Sequence, residues 1–287
     1  MSDRYLAAAA AWFVAAAALD LFHLARTLAA PTGEAVVRQV ATWQFPLRDL
    51  QIHGLAMMMI FGVSLRQFPV WFKTPAPDGA RARRLWLPLQ LAVTVEAVSF
   101  VVAMATRAYA WMAVFSAATV VLAVSATLFV ANLRTFSRAA TPDRSLKFVR
   151  AAQVWLVVAL AMLVVAPAYF ALVGTHFSHA WYGAMRHAIT VGFISLTIMG
   201  VAAKVVSAHA PAGAPLLGTL SLPFLLMNLG CALRVTMQVA TDASAGAFPI
   251  AAVSGVLEVA ALAIWGASLA RVMLAGRRMP VRAGTGG

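Results

Sequence analysis

Three histidines, His23, His53 and His187, stand inside or at the edge of long apolar runs, with Arg48 about one turn before His53 and Arg186 directly before His187. Imidazoles held among apolar residues suit metal coordination. Haem iron takes an axial imidazole while its porphyrin fills an apolar slot between helices, and arginines can pair with the propionate carboxylates near the aqueous edge. Copper held by several imidazoles is the other chemistry that fits these residue types, and the two metals can share a site. A structural alternative stays open for each group. A membrane histidine can close a hydrogen-bond network, and Arg48 and Arg186 can anchor at the interface, with Trp43 and Trp181 as an aromatic belt.

The elements that must carry these residues follow from composition. The chain of 287 residues is 62% hydrophobic and 11% charged, with a mean hydropathy of +0.85. Its apolar runs are of bilayer length, about 20 residues each. They predict an all-α integral membrane protein with eight helices, near 5–28, 47–66, 85–106, 109–133, 148–172, 180–206, 216–239 and 248–274. The first run is alanine-rich after a short polar start; because Asp20, His23 and Arg26 follow, it is read as a retained helix and not a leader.

The net charge of +13 does not point to nucleic acid, because the basic residues fall mainly between the apolar runs. Arg4, Arg66, Lys73, Arg81, Arg83, Arg84, Arg134, Arg138, Arg144, Lys147, Arg150, Lys204, Arg271, Arg277, Arg278 and Arg282 fall on one side, 16 in all, against 5 on the other: Arg26, Arg38, Arg48, Arg107 and Arg186. By the positive-inside rule both termini lie in the cytoplasm of a bacterial inner membrane. His23, His53, His187, His176 and His179 then gather toward the outer, periplasmic side, and His209 is cytoplasmic.

The chain also carries an internal repeat. A shift of 138 residues sets Trp43 on Trp181, Arg48 on Arg186, Gly54 on Gly192, Gly62 on Gly200, Val63 on Val201 and Arg66 on Lys204. It predicts two parallel four-helix repeats, 1–138 and 139–276, followed by a cytoplasmic tail, 277–287. In the common frame His53 falls on Val191 and His187 on Asp49, so the histidines share a face about one turn apart, roughly 6 Å in height. Gly54 with Gly62, and Gly192 with Gly200, lie two turns apart and suit close helix approach. Glu96 falls on Arg234, which predicts an ion pair across the repeat axis, whereas Glu258 has no evident partner.

Some chemistries are excluded within the chain. Cys231 is the sole cysteine, so there is no disulfide, no thiolate cluster and no covalent c-type haem attachment. No P-loop or dinucleotide fingerprint occurs.

The stretches LQIHGLAMMMIFGVSLRQFP (Leu50–Pro69), RHAITVGFISLTIMGVAAK (Arg186–Lys204) and LLMNLGCALRV (Leu225–Val235) resemble the NnrS family of membrane proteins, over roughly residues 43–240. That family is associated with haem and copper, with denitrification and nitric oxide stress, and distantly resembles the catalytic subunit of haem–copper oxidases. The resemblance implies ligand roles for His53 and His187 and says less of His23. It implies one haem b, or a haem with a nearby metal, since the family has more helices than the eight read here and a paired-histidine stretch where this chain has His53 alone. Electron transfer, oxidoreductase activity or the handling of nitric oxide or another small gas would follow, with a cytochrome or other respiratory subunit as partner. The other class of function is a cofactor-free transporter, or a structural membrane subunit of a larger respiratory complex. A transporter would hold its substrate near Glu96, Arg234 and Glu258.

Overall fold

In a computed structural model describing residues 1–108, 110–141, 143–210 and 217–277, the chain forms helices and no strands. Eight helices are long and apolar enough to cross a membrane: α1 (Ser2–Leu28), α2 (Gly33–Phe72), α3 (Gly79–Thr106), α4 (Trp111–Asn132), α5 (Leu146–Leu172), α6 (His179–Ala208), α7 (Ser221–Ala240) and α8 (Ala247–Ala275). The protein is a multi-pass membrane protein. Of the expected tail, residues 278–287 lie outside the described residues, as do Arg278 and Arg282.

Seven helices lie close to the apolar runs that predict them. α2 differs, starting at Gly33 where the apolar run begins near 47. Its start is fixed by local chemistry: Thr32 caps the helix by accepting from the Ala35 amide at 3.2 Å, Glu34 sits in the first turn, and Arg38 lies 3.8 Å from Glu34. This first part leaves Val37 and Val40 exposed. At about 1.5 Å per residue, the 40 residues of α2 extend roughly 60 Å, about twice a hydrocarbon core.

Both α2 and α6 are interrupted by a π-helical segment, Leu50–Ala56 in α2 and Ala188–Ser195 in α6. The Met57 amide reaches five residues back, to the Ile52 carbonyl. Each segment contains a glycine against a tryptophan of another helix. A Cβ on Gly54 would come 2.7 Å from Trp12, and one on Gly192 would come 2.5 Å from Trp155. Each of those indoles donates to an amide on a third helix, Trp12 to Gln90 at 2.7 Å and Trp155 to Asn228 at 3.0 Å.

The chain forms two compact units, residues 1–141 with 157–177, and residues 142–156 with 178–287. The core of the first holds Tyr5, Phe61 and Phe129, with Phe61 and Phe129 stacked at 4.0 Å and the Tyr5 hydroxyl donating to the Ala82 carbonyl. A second aromatic group, Phe45, Phe100 and Phe115, joins α2, α3 and α4. In the second unit Phe148 meets Phe224 at 5.2 Å, and the Trp265 indole donates to the Met199 carbonyl. Gly62 admits Leu6, and Gly200 admits Phe148 and the Ser145 carbonyl; these glycines serve close approach, as their spacing predicts.

Candidate functional site

His53 lies inside the π-helical segment of α2, and Glu96 lies in α3. The His53 Nδ1 is 3.0 Å from Glu96 Oε2, with the side chains 4% and 0% exposed. The pairing answers a cost, since neither a carboxylate nor an imidazolium is tolerated alone at that depth. Glu96 Oε1 has no hydrogen-bond partner although buried. Asp49, about one turn before His53, is also buried.

His187 closes the first α-helical stretch of α6, directly before the π segment. Its Nε2 is 2.7 Å from Oε1 of Glu258 in α8. Gly230 of α7 makes this meeting possible, because a Cβ there would come 2.7 Å from Glu258 Cγ. Each unit therefore contains one intramembrane histidine engaged by a carboxylate from a neighbouring helix. Each contact uses one ring nitrogen, Nδ1 in His53 and Nε2 in His187.

These pairs bear on the charges that the sequence leaves in the apolar runs. Glu96 has His53 as its partner, and Arg234 Nε donates to Gln238 Oε1 at 3.1 Å. Glu258, without an evident partner in the sequence, has His187. In both cases a histidine on an adjacent helix is a small complement to a buried carboxylate.

His23, in α1, is buried with Nε2 lacking a hydrogen-bond partner. The structure keeps it apart from His53. Trp12 of α1 lies at the level of Gly54, whereas Phe22 meets Trp43 at 4.9 Å, so α1 and α2 run in opposite directions. From Trp12 to His23 is about 16 Å of helix rise. A single iron between two imidazoles needs ring nitrogens only about 4 Å apart, twice a metal–nitrogen bond, so His23 and His53 do not serve one metal.

The arginines differ in setting. Arg48 is exposed and donates to Gln51 at 2.9 Å. Arg186 lies with its guanidinium carbon 4.3 Å from the Tyr182 ring centroid, and its Nη2 is buried without a hydrogen-bond partner. His176 lies in the segment before α6 and His179 at its start, and His209 lies just past its end, bonded to the Val205 carbonyl.

Among the described residues no group of three or more His, Cys, Asp or Glu side chains is arranged to hold a metal ion. Haem requires fewer protein ligands, one or two, and the donor sets can be tested against that need. A carboxylate on one imidazole nitrogen fixes the tautomer in which the other nitrogen carries the lone pair, the form that ligates iron. Glu96 takes that place on His53 through Nδ1 and Glu258 on His187 through Nε2, so each histidine has the carboxylate partner that an axial ligand wants. No protein-family model, curated protein or solved structure matches this chain.

Proposed function

We propose that the chain is a haem-binding membrane protein of NnrS type, acting in electron transfer or in handling nitric oxide or a similar small gas. The observation that carries the reading is the carboxylate on each intramembrane histidine, His53 with Glu96 and His187 with Glu258. Metal-bound imidazoles characteristically give their second nitrogen to such a partner, which sets ring orientation and raises basicity. His53 would hold haem b, and His187 is the second candidate. Bound haem supplies a redox-active iron that can also bind a small gas at an open axial position. The protein's own part is to orient the ring, keep the carboxylate dry and exclude water from the iron. Copper takes second place, because three convergent ligands are wanting among the described residues.

The same reading takes the chain as two parallel repeats with both termini cytoplasmic, in a bacterial inner membrane and beside a cytochrome or other respiratory subunit. The repeat is supported by the 138-residue shift, which sets the π-helical residues 50–56 on 188–194 and Gln90 on Asn228, the two amides that accept from tryptophan.

A second reading, a proton-coupled transporter without cofactor, draws on one observation. Glu96 Oε1 is buried without a hydrogen-bond partner, which suits a carboxyl group that takes up and releases a proton. The reduced-minus-oxidised absorption spectrum of the detergent-purified protein, with iron analysis, separates the two. A Soret band and resolved α-band with near-stoichiometric iron are expected, diminished in His53→Ala or His187→Ala. A folded, colourless and iron-free protein would favour the transporter.

A further inference from the structure

A second feature of the second unit has no role in iron ligation. Near the His179 end of α6, Gly183 packs against Gln238 of α7 so closely that a Cβ would come 2.1 Å from the amide nitrogen. The Cys231 thiol, farther along the pair, sits against the backbone of Gly192, so the two helices run in opposite directions. One turn beneath the Gly183–Gln238 contact, α6 therefore presents Arg186 and α7 presents Arg234 toward the same level. The two guanidinium groups carry permanent charge, since arginine does not lose its proton in proteins.

Among the described residues no ion pair involves Arg186 or Arg234. Arg234 Nε donates to the neutral Gln238, Arg186 rests on the Tyr182 ring, and Arg186 Nη2 is buried without a hydrogen-bond partner. The carboxylates on neighbouring elements are engaged elsewhere, Glu258 with His187 and Asp242 with the Ser178 hydroxyl. Two half-buried cations at one level of adjacent helices, with no carboxylate on either, lack their solvation, a cost that persists only where something offsets it. A planar oxyanion placed between them would take both forks and the orphaned Nη2 proton at once.

We propose that Arg186 and Arg234 form a binding site for a carboxylate or similar planar oxyanion, beside the Gly183–Gln238 contact. The carboxylate comes from one of two sources, the propionate of a bound haem or a free solute anion. The site does not depend on the haem reading, because its argument is the uncompensated charge alone.

The test uses the full-length protein in detergent, with Arg186→Gln and Arg234→Gln, and the charge-retaining Arg186→Lys and Arg234→Lys as controls for folding. Acetate binding is measured by calorimetry at constant ionic strength, and haem affinity is compared with that of haem dimethyl ester, which lacks free carboxylates. For a solute site, acetate binds the parent protein and weakens at least tenfold in each Gln variant. For a propionate site, haem binds at least tenfold better than its ester, and that preference disappears in the Gln variants. A protein that binds no haem yet binds acetate through these arginines upholds the site while ending the haem reading. Acetate affinity and ester preference unchanged in both Gln variants, with the Lys variants equal to the parent, overturns the proposal.

Discussion

At the residue scale, the histidine–carboxylate pairs are the most consequential contacts in the structure. Removing one partner leaves the other buried and unsatisfied, which costs about 3–5 kcal/mol, whereas removing both leaves only an apolar contact. Glu96→Leu and His53→Leu should each lower thermal stability strongly, and the double substitution should recover much of the loss; a thermal-melt cycle that is simply additive would remove the pair as a unit of stability. Outside the membrane, Asp143 is held below the ordinary carboxylate range. Burial pushes its carboxyl up, and the Lys204 ammonium and the Ser145 hydroxyl and amide outweigh that. A carboxyl lowered on folding contributes stability above its unfolded value, near 4, and loses it as the pH falls through the lowered folded value. Asp143→Asn should therefore melt a few degrees lower at neutral pH, and the two curves should converge as the pH falls below the ordinary carboxylate range. The ionisable residues that need partners were legible in the sequence, but not the partners. Glu96 is 43 residues from His53 and Glu258 is 71 from His187, and no local spacing rule reaches across helices at that distance.

At the element scale, apolar runs of bilayer length found all eight helices, because a crossing helix must be apolar over its whole core-facing length. The same criterion missed the first part of α2, which is amphipathic and polar on balance. Its signal was of another kind, the Thr32 cap with Glu34 in the first turn. The π segments have no distinct sequence pattern, and only the glycine at their centre hinted at a close approach. That approach is testable against a matched control. Gly54→Ala and Gly192→Ala place a Cβ on a tryptophan ring and should cost about 1–3 kcal/mol by overpacking, whereas Gly255→Ala meets nothing within 4 Å and should be neutral or stabilising. Equal melting temperatures for all three variants would remove the tryptophan contacts as the reason for glycine.

At the scale of the whole molecule, the described residues hold eight helices long and apolar enough to cross a membrane. The proposed cytoplasmic placement rests on Arg66, Lys73, Arg81, Arg83, Arg84 and their counterparts in later loops. Reporter fusions at residues 75 and 139 should both read cytoplasmic, and one at 108 periplasmic; the opposite pattern would invert every assignment of depth made for His53 and His187. The π segments carry a last consequence, one for the gene. Each holds surplus chain relative to a straight α-helix of the same height, so loss of a single codon between 50 and 56 can be absorbed as an ordinary helix. The helix would still span and its flanks, Arg48 and Asp49 included, would keep their face, while the side chains inside the segment, His53 among them, would be re-spaced around the axis. A one-residue length change, invisible to hydropathy and tolerated by the scaffold, is thus enough to re-aim His53 without turning the stretches that flank it.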